Sequence, residues 1–138
     1  SQKRDALIAR YGLAEAEVSA LDSCTSALTR KKLKNGGSKS EFCGCFAKNA
    51  TAKLNDAHKA AAGRFMGEMI SHDAKTAREV LTPASYQGRA ANVTEVALDI
   101  TRGFGMCIAQ TSARCAPDDQ ACKDRVMAAL ERGKPVQR

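Results

Sequence analysis

Tryptophan is absent from the 138 residues, and the aromatic complement is two tyrosines and four phenylalanines. Proline occurs only three times, at Pro83, Pro117 and Pro135, and histidine twice. Few prolines and few β-branched runs in an alanine-rich chain favour helices over sheets. Scarce aromatics also weaken a nucleic-acid reading, because bases need stacking partners interleaved with cations. No apolar run approaches the roughly 18 residues that a membrane-spanning helix requires. No signal peptide is visible, although a cleaved one would leave a start such as Ser1.

Acidic residues are missing from one stretch in particular. Between Ser23 and Ser40 there is no Asp or Glu, while Arg30, Lys31, Lys32, Lys34 and Lys39 supply five of a net +7. Such a local excess points to a partner with an acidic protein face or to an anionic membrane surface.

What the chain does have is helical periodicity. A short amphipathic segment covers Arg4 to Tyr11, and Gly12 interrupts it. Val18, Leu21, Thr25 and Leu28 recur at three or four residues and predict a helix from about Ala14 to Leu33. Asn35-Gly36-Gly37 ends it, with the basic run in its last turn, where cations complement the helix dipole. Ser40 is the expected N-cap of the next helix, with Glu41 in the first turn. Phe42, Phe46, Ala50 and Leu54 mark its buried face, and a break is expected near Asn55-Asp56 or Ser71-His72-Asp73. Thr82-Pro83 closes this region, and 84–91 reads as a connector.

Asn92 with Glu95 opens a helix whose stripe is Val93, Val96, Ala97, Ile100, Phe104, Cys107 and Ile108. Pro117 suits a first helical position ahead of Asp118 and Asp119, and the last helix carries Cys122, Val126, Ala129 and Leu130. The expected fold is all-α. It is one domain, 1–138, a disulfide-stapled bundle of about four to six helices built from two hairpins, 24–45 and 93–132.

Six cysteines, Cys24, Cys43, Cys45, Cys107, Cys115 and Cys122, carry the strongest signal. The close pair is Cys-x-Cys, in "EFCGCF", and no second close pair complements it. Zinc sites and thioredoxin-like motifs use other spacings. Disulfides fit better. Residues equidistant from a hairpin turn stand side by side, so Cys24 pairs with Cys43 or Cys45 across the Asn35-Gly36-Gly37 turn. By the same symmetry Cys107 is expected to pair with Cys122. The remaining member of the Cys-x-Cys pair then goes to Cys115. Two residues apart on a helix is a rotation of about 200°, so the pair is a junction sending bridges in two directions. Bridges imply an oxidising compartment, periplasmic or extracellular.

Other motifs are weaker. Met66, Met69 and His72 are spaced as thioether and imidazole ligands for copper would be, but methionine at helical spacing also fills cores. Asn49-Ala50-Thr51 and Asn92-Val93-Thr94 match the glycosylation pattern. No nucleophile elbow, phosphate loop or zinc-protease motif occurs, and no cofactor is implied.

The order of a single Cys24, the close pair "FCGCF" and three separated cysteines resembles insect odorant-binding proteins, secreted helical carriers of small apolar ligands. It departs from them in having one residue between the second and third cysteines where that family has three. It is also similar to small exported bacterial helical domains with a lone Cys before an aromatic-Cys-x-Cys. No family is assigned on this spacing. The leading expectation is a non-enzymatic exported binding protein, an accessory or stabilising subunit docking by the basic tip or an apolar helix face. The alternatives are a carrier of a small apolar ligand and a periplasmic copper-binding protein.

Overall fold

The computed structural model describes residues 2–29, 38–52, 54–56, 59, 62 and 93–132. Five α-helices and no strand are found among them. They are α1 (Gln2–Tyr11), α2 (Glu15–Leu28), α3 (Lys39–Cys45), α4 (Val93–Ser112) and α5 (Gln120–Glu131). A π-helical turn, Phe46–Ala50, continues α3 without a break.

The turn from α1 to α2 is made at Gly12, φ +61°, with the Leu13 N–H donating to the Ile8 carbonyl at 3.0 Å. Glu17 is buried here for a reason. Its Oε1 accepts the Ala14 N–H at 2.8 Å, satisfying one of the donors a helix start leaves open. Lys48 from the π turn closes the corner, 3.7 Å from the same carboxylate, and donates to the Gly12 carbonyl at 3.1 Å. Arg4 and Asp22 form a two-pronged ion pair (2.8 and 2.9 Å) between α1 and α2.

The buried face of α2 is Glu17, Ala20, Leu21, Cys24 and Leu28. Thr25, expected on that face, is exposed and returns its hydroxyl to the Leu21 carbonyl at 2.9 Å. The N-cap of α3 is Ser38, whose hydroxyl accepts the Glu41 N–H at 3.3 Å; Ser40 lies inside the helix. Starting two residues earlier places Lys39 in the first turn. From there its ammonium reaches back to the Leu28 and Thr29 carbonyls (3.0 and 3.3 Å) at the open end of α2.

Phe42 and Phe46 are fully buried at the centre of the core, with Leu21, Leu28, Leu54 and Ile100 around them. The Phe104 ring meets Phe42 edge-on with centroids 5.5 Å apart. The widened turn after Cys45 has its carbonyls met by side chains four residues on: Asn49 donates to the Cys45 carbonyl and buried Thr51 to that of Ala47 (3.1 and 2.6 Å). The α-helix passes into this π turn at Phe46 and ends after Ala50, and Asn55 lies outside helix, in keeping with the break expected near Asn55-Asp56. On the other side of this turn α4 approaches so closely that a methyl group at Gly103 would lie 2.6 Å from the Ala50 Cβ and 2.7 Å from its Cα.

Along α4, Ile100 and Cys107 are buried, and Phe104 and Ile108 are half-buried; the side chains of Val93, Val96 and Ala97 lie outside those described. Pro117 stands in the connector and does not begin α5. The N-cap is Asp119, which accepts the Cys122 N–H at 3.0 Å. Cys122, Val126 and Ala129 are buried as the stripe predicts, whereas Leu130 is exposed. No helix among the described residues is long and apolar enough to cross a membrane.

Candidate functional site

All six cysteines are oxidised, as Cys24–Cys43, Cys45–Cys107 and Cys115–Cys122. The junction at Cys-x-Cys is present: Cys43 faces α2 and Cys45 faces α4. The expected Cys107–Cys122 bridge is replaced, and so is a bridge from the close pair to Cys115. Cys107 shares a face with Ile100 and Gly103, and that face meets α3 and the π turn, through the bridge to Cys45 and the close approach of Gly103 to Ala50. Cys115 instead closes the connector onto the first turn of α5, seven residues away.

Gly44 explains why the motif reads C-G-C. A Cβ at this position would stand 2.6 Å from the Tyr11 ring, so glycine lets α1 lay its tyrosine directly on α3. The Tyr11 hydroxyl donates to Glu41 Oε2 at 2.7 Å, and Arg10 pairs with Glu41 Oε1. Burial first, then the bond to the Glu41 carboxylate, raises the Tyr11 pKa above its ordinary value. The Glu41 charge is thus balanced by Arg10, and its other oxygen is held by the Tyr11 hydroxyl.

Beside this triad opens a cleft of about 550 Å3. Arg10, Tyr11 and Glu41 form one wall, Cys45 and Asn49 belong to the α3 side, and Gln110, Arg114, Cys115 and Lys123 complete it. Its volume falls in the range of small-molecule sites. Two features set it apart. First, Arg114 has φ +60°, the sole described non-glycine residue at positive φ. The Cys115 N–H donates to the Gln110 carbonyl (2.9 Å) and the Arg114 N–H to that of Thr111 (3.1 Å). This is a Schellman ending in which arginine occupies the position that glycine usually takes. Second, Gln110 is only 7% exposed. Its Oε1 lies 3.7 Å from the Cys45 sulfur. That sulfur is in a disulfide and has no proton to give, so the contact is not a hydrogen bond.

Arg114 and Lys123 have no ion-pair partner among the described residues, whereas the charge of Arg10 is met by Glu41. The cleft carries a surplus of two positive charges next to a buried carboxamide. Of the residues singled out in the sequence, Lys39 caps α2. Arg30, Lys31, Lys32 and Lys34 lie outside the described residues, as do Met66, Met69 and His72. Among the described residues no cluster of three His, Cys, Asp or Glu side chains is placed to hold a metal. Of the cleft residues, Glu41, Asn49 and Pro117 were noted in the sequence for other reasons, and Gln110, Arg114 and Lys123 were not singled out. One signal for them was available: Gln110 stands in register with Ile100, Gly103 and Cys107, a polar residue extending a buried stripe.

No family model, curated protein or solved structure matches the chain.

Proposed function

We propose that this chain is an exported, non-enzymatic binding protein, an accessory or stabilising subunit of an envelope or extracellular assembly. The observation that carries the reading is the pairing of all six cysteines into three bridges. Bridges of this number persist in oxidising compartments, and here they tie α2 to α3 and α3 to α4. With every thiol consumed, the cysteines act as a scaffold. The net charge of +7, concentrated in Arg30 to Lys39, supports docking on an anionic face. The carrier reading gains less, because the cleft wall includes the charged Arg10, Glu41, Arg114 and Lys123 and the amides of Asn49 and Gln110, which suit a ligand with polar groups better than a purely apolar one.

The test is made on protein isolated from its native source. Its denatured, non-reduced mass should lie about 6 Da below the reduced mass, two hydrogens per bridge. Chemical cross-linking in native envelope preparations should then capture a defined protein partner. A fully reduced mass, or turnover of a substrate by the purified chain, overturns the reading.

A further inference from the structure

We propose that the cleft between α1, α3 and the α4–α5 turn binds a small ligand bearing a carboxylate next to a peptide-like amide. Arg114 takes the carboxylate and Gln110 the amide.

Three observations converge on this site. Gln110 is more than nine-tenths buried, lines the cleft, and has as its side-chain neighbour a disulfide sulfur that donates nothing. A buried carboxamide without a hydrogen-bond partner among the described residues is costly, and such groups are normally satisfied. A carboxamide offers a donor and an acceptor side by side, the complement of another amide. Arg114 lies four residues on, held next to Gln110 by the Schellman bonds. Glycine would end the helix here without a steric penalty, so an arginine at φ +60° is kept against the backbone preference. What the side chain adds over glycine is a planar fork that matches a carboxylate in two hydrogen bonds. Lys123 adds a second positive charge without an ion-pair partner among the described residues. Glu41 does not leave an uncompensated negative charge facing the anion, because Arg10 balances it and the Tyr11 hydroxyl holds its other oxygen. The residues named for the site are not those of the basic segment 30–34, and the proposal does not rest on how the chain docks.

The experiment titrates the intact, oxidised protein with N-acetylalanine, with acetyl-trialanine, with the C-terminal amide of each, and with inorganic phosphate. Backbone amide resonances report the binding. Both free acids should shift Gln110, Arg114 and Lys123 together and saturably, and the amidated forms should bind at least tenfold more weakly. Tighter binding of the tripeptide assigns a peptide C-terminus; equal binding assigns a free N-acyl amino acid. Either outcome supports the site. Arg114→Gly separates binding from folding. It should melt no lower than the wild type, since glycine suits that φ, yet lose at least tenfold in affinity. Gln110→Leu should bring the acids down to the affinity of simple propionate. The proposal is overturned if neither acid binds up to about 10 mM, the weak limit for a specific site of this kind. It is equally overturned if phosphate binds more tightly than both acids, or if Arg114→Gly binds them unchanged.

Discussion

Tyr11 concentrates several energetic effects in one side chain. Its ring fills the space that Gly44 leaves, and its hydroxyl holds Glu41 for Arg10. Its pKa in the folded chain is raised above the ordinary value. The neutral phenol is thus favoured in the folded state, and the resulting stability is fully present below about pH 10, the unfolded value. It is lost as pH rises through the folded pKa. Tyr11→Phe should cost about 1 kcal/mol at neutral pH, the net worth of a hydrogen bond, and somewhat more through the charged acceptor. Denaturant titrations at pH 7 and above pH 10 should show the gap between wild type and variant closing. Gly44→Ala should act on the same contact from the other side. The added methyl displaces the ring, at about 1–3 kcal/mol for overpacking, and absorbance titration of the phenol should find its pKa moved back down. A Gly44→Ala protein of undiminished stability would mean that the ring does not rest on this glycine.

At the scale of elements, the three bridges close chain segments of very different length. The sequence separations are 62 for Cys45–Cys107, 19 for Cys24–Cys43 and 7 for Cys115–Cys122. Chain-entropy reasoning gives about 4, 3 and 2 kcal/mol in that order. Paired Cys→Ser variants should therefore lose stability in the same order in urea unfolding, with Cys115→Ser/Cys122→Ser the mildest. Connectivity has a direct readout in an unreduced tryptic digest. Cys115 and Cys122 share one peptide, between Arg114 and Lys123, which should appear alone and about 2 Da light. Cys43 and Cys45 share the peptide after Lys39, which should be joined to the Cys24 and Cys107 peptides in a cluster of three. A single cluster holding all four peptides is what bridges from Cys107 to Cys122 and from Cys115 to the close pair would give, and it would rule out Cys115–Cys122. Helix existence was legible because periodicity is a local signal, and the first bridge was legible as far as a choice of Cys43 or Cys45 for Cys24, from the Asn-Gly-Gly sequence between them. The other two bridges were not, because symmetry about residues 114 and 115 assumes that α4 and α5 face each other through Cys107. The Schellman ending at Arg114 and a connector running to Asp119 shift that register, and the close approach of Gly103 to Ala50 turns Cys107 toward α3. Nothing in residue type announces the cleft, which exists because α1, α3 and the α4–α5 turn meet; only Gln110 on an apolar stripe hinted at it.

For the whole molecule, the distribution of charge decides how it meets a partner. Arg30, Lys31, Lys32, Lys34 and Lys39 stand within ten residues with no acid among them. Lys39 is engaged by the end of α2. The docking expectation thus rests chiefly on the four cations from Arg30 to Lys34. Their field extends over about 8 Å at physiological salt, one Debye length. A field of that reach steers encounter more than it holds a complex together, so the rate of association is the quantity to follow. With the captured partner immobilised, replacing Lys31, Lys32 and Lys34 together by Gln should slow association about tenfold or more, with dissociation changed far less. Raising the salt concentration should slow the wild type toward the variant, and the two should converge. Folding stability should move by no more than about 0.5 kcal/mol per substitution, as for exposed surface positions in general. The cleft provides the internal control: Arg114→Gly should leave this association rate unchanged. If the triple variant associates as fast as the wild type and salt has no effect, docking does not use the basic segment, and the exposed Met127 and Leu130 on α5 become the surface to mutate next.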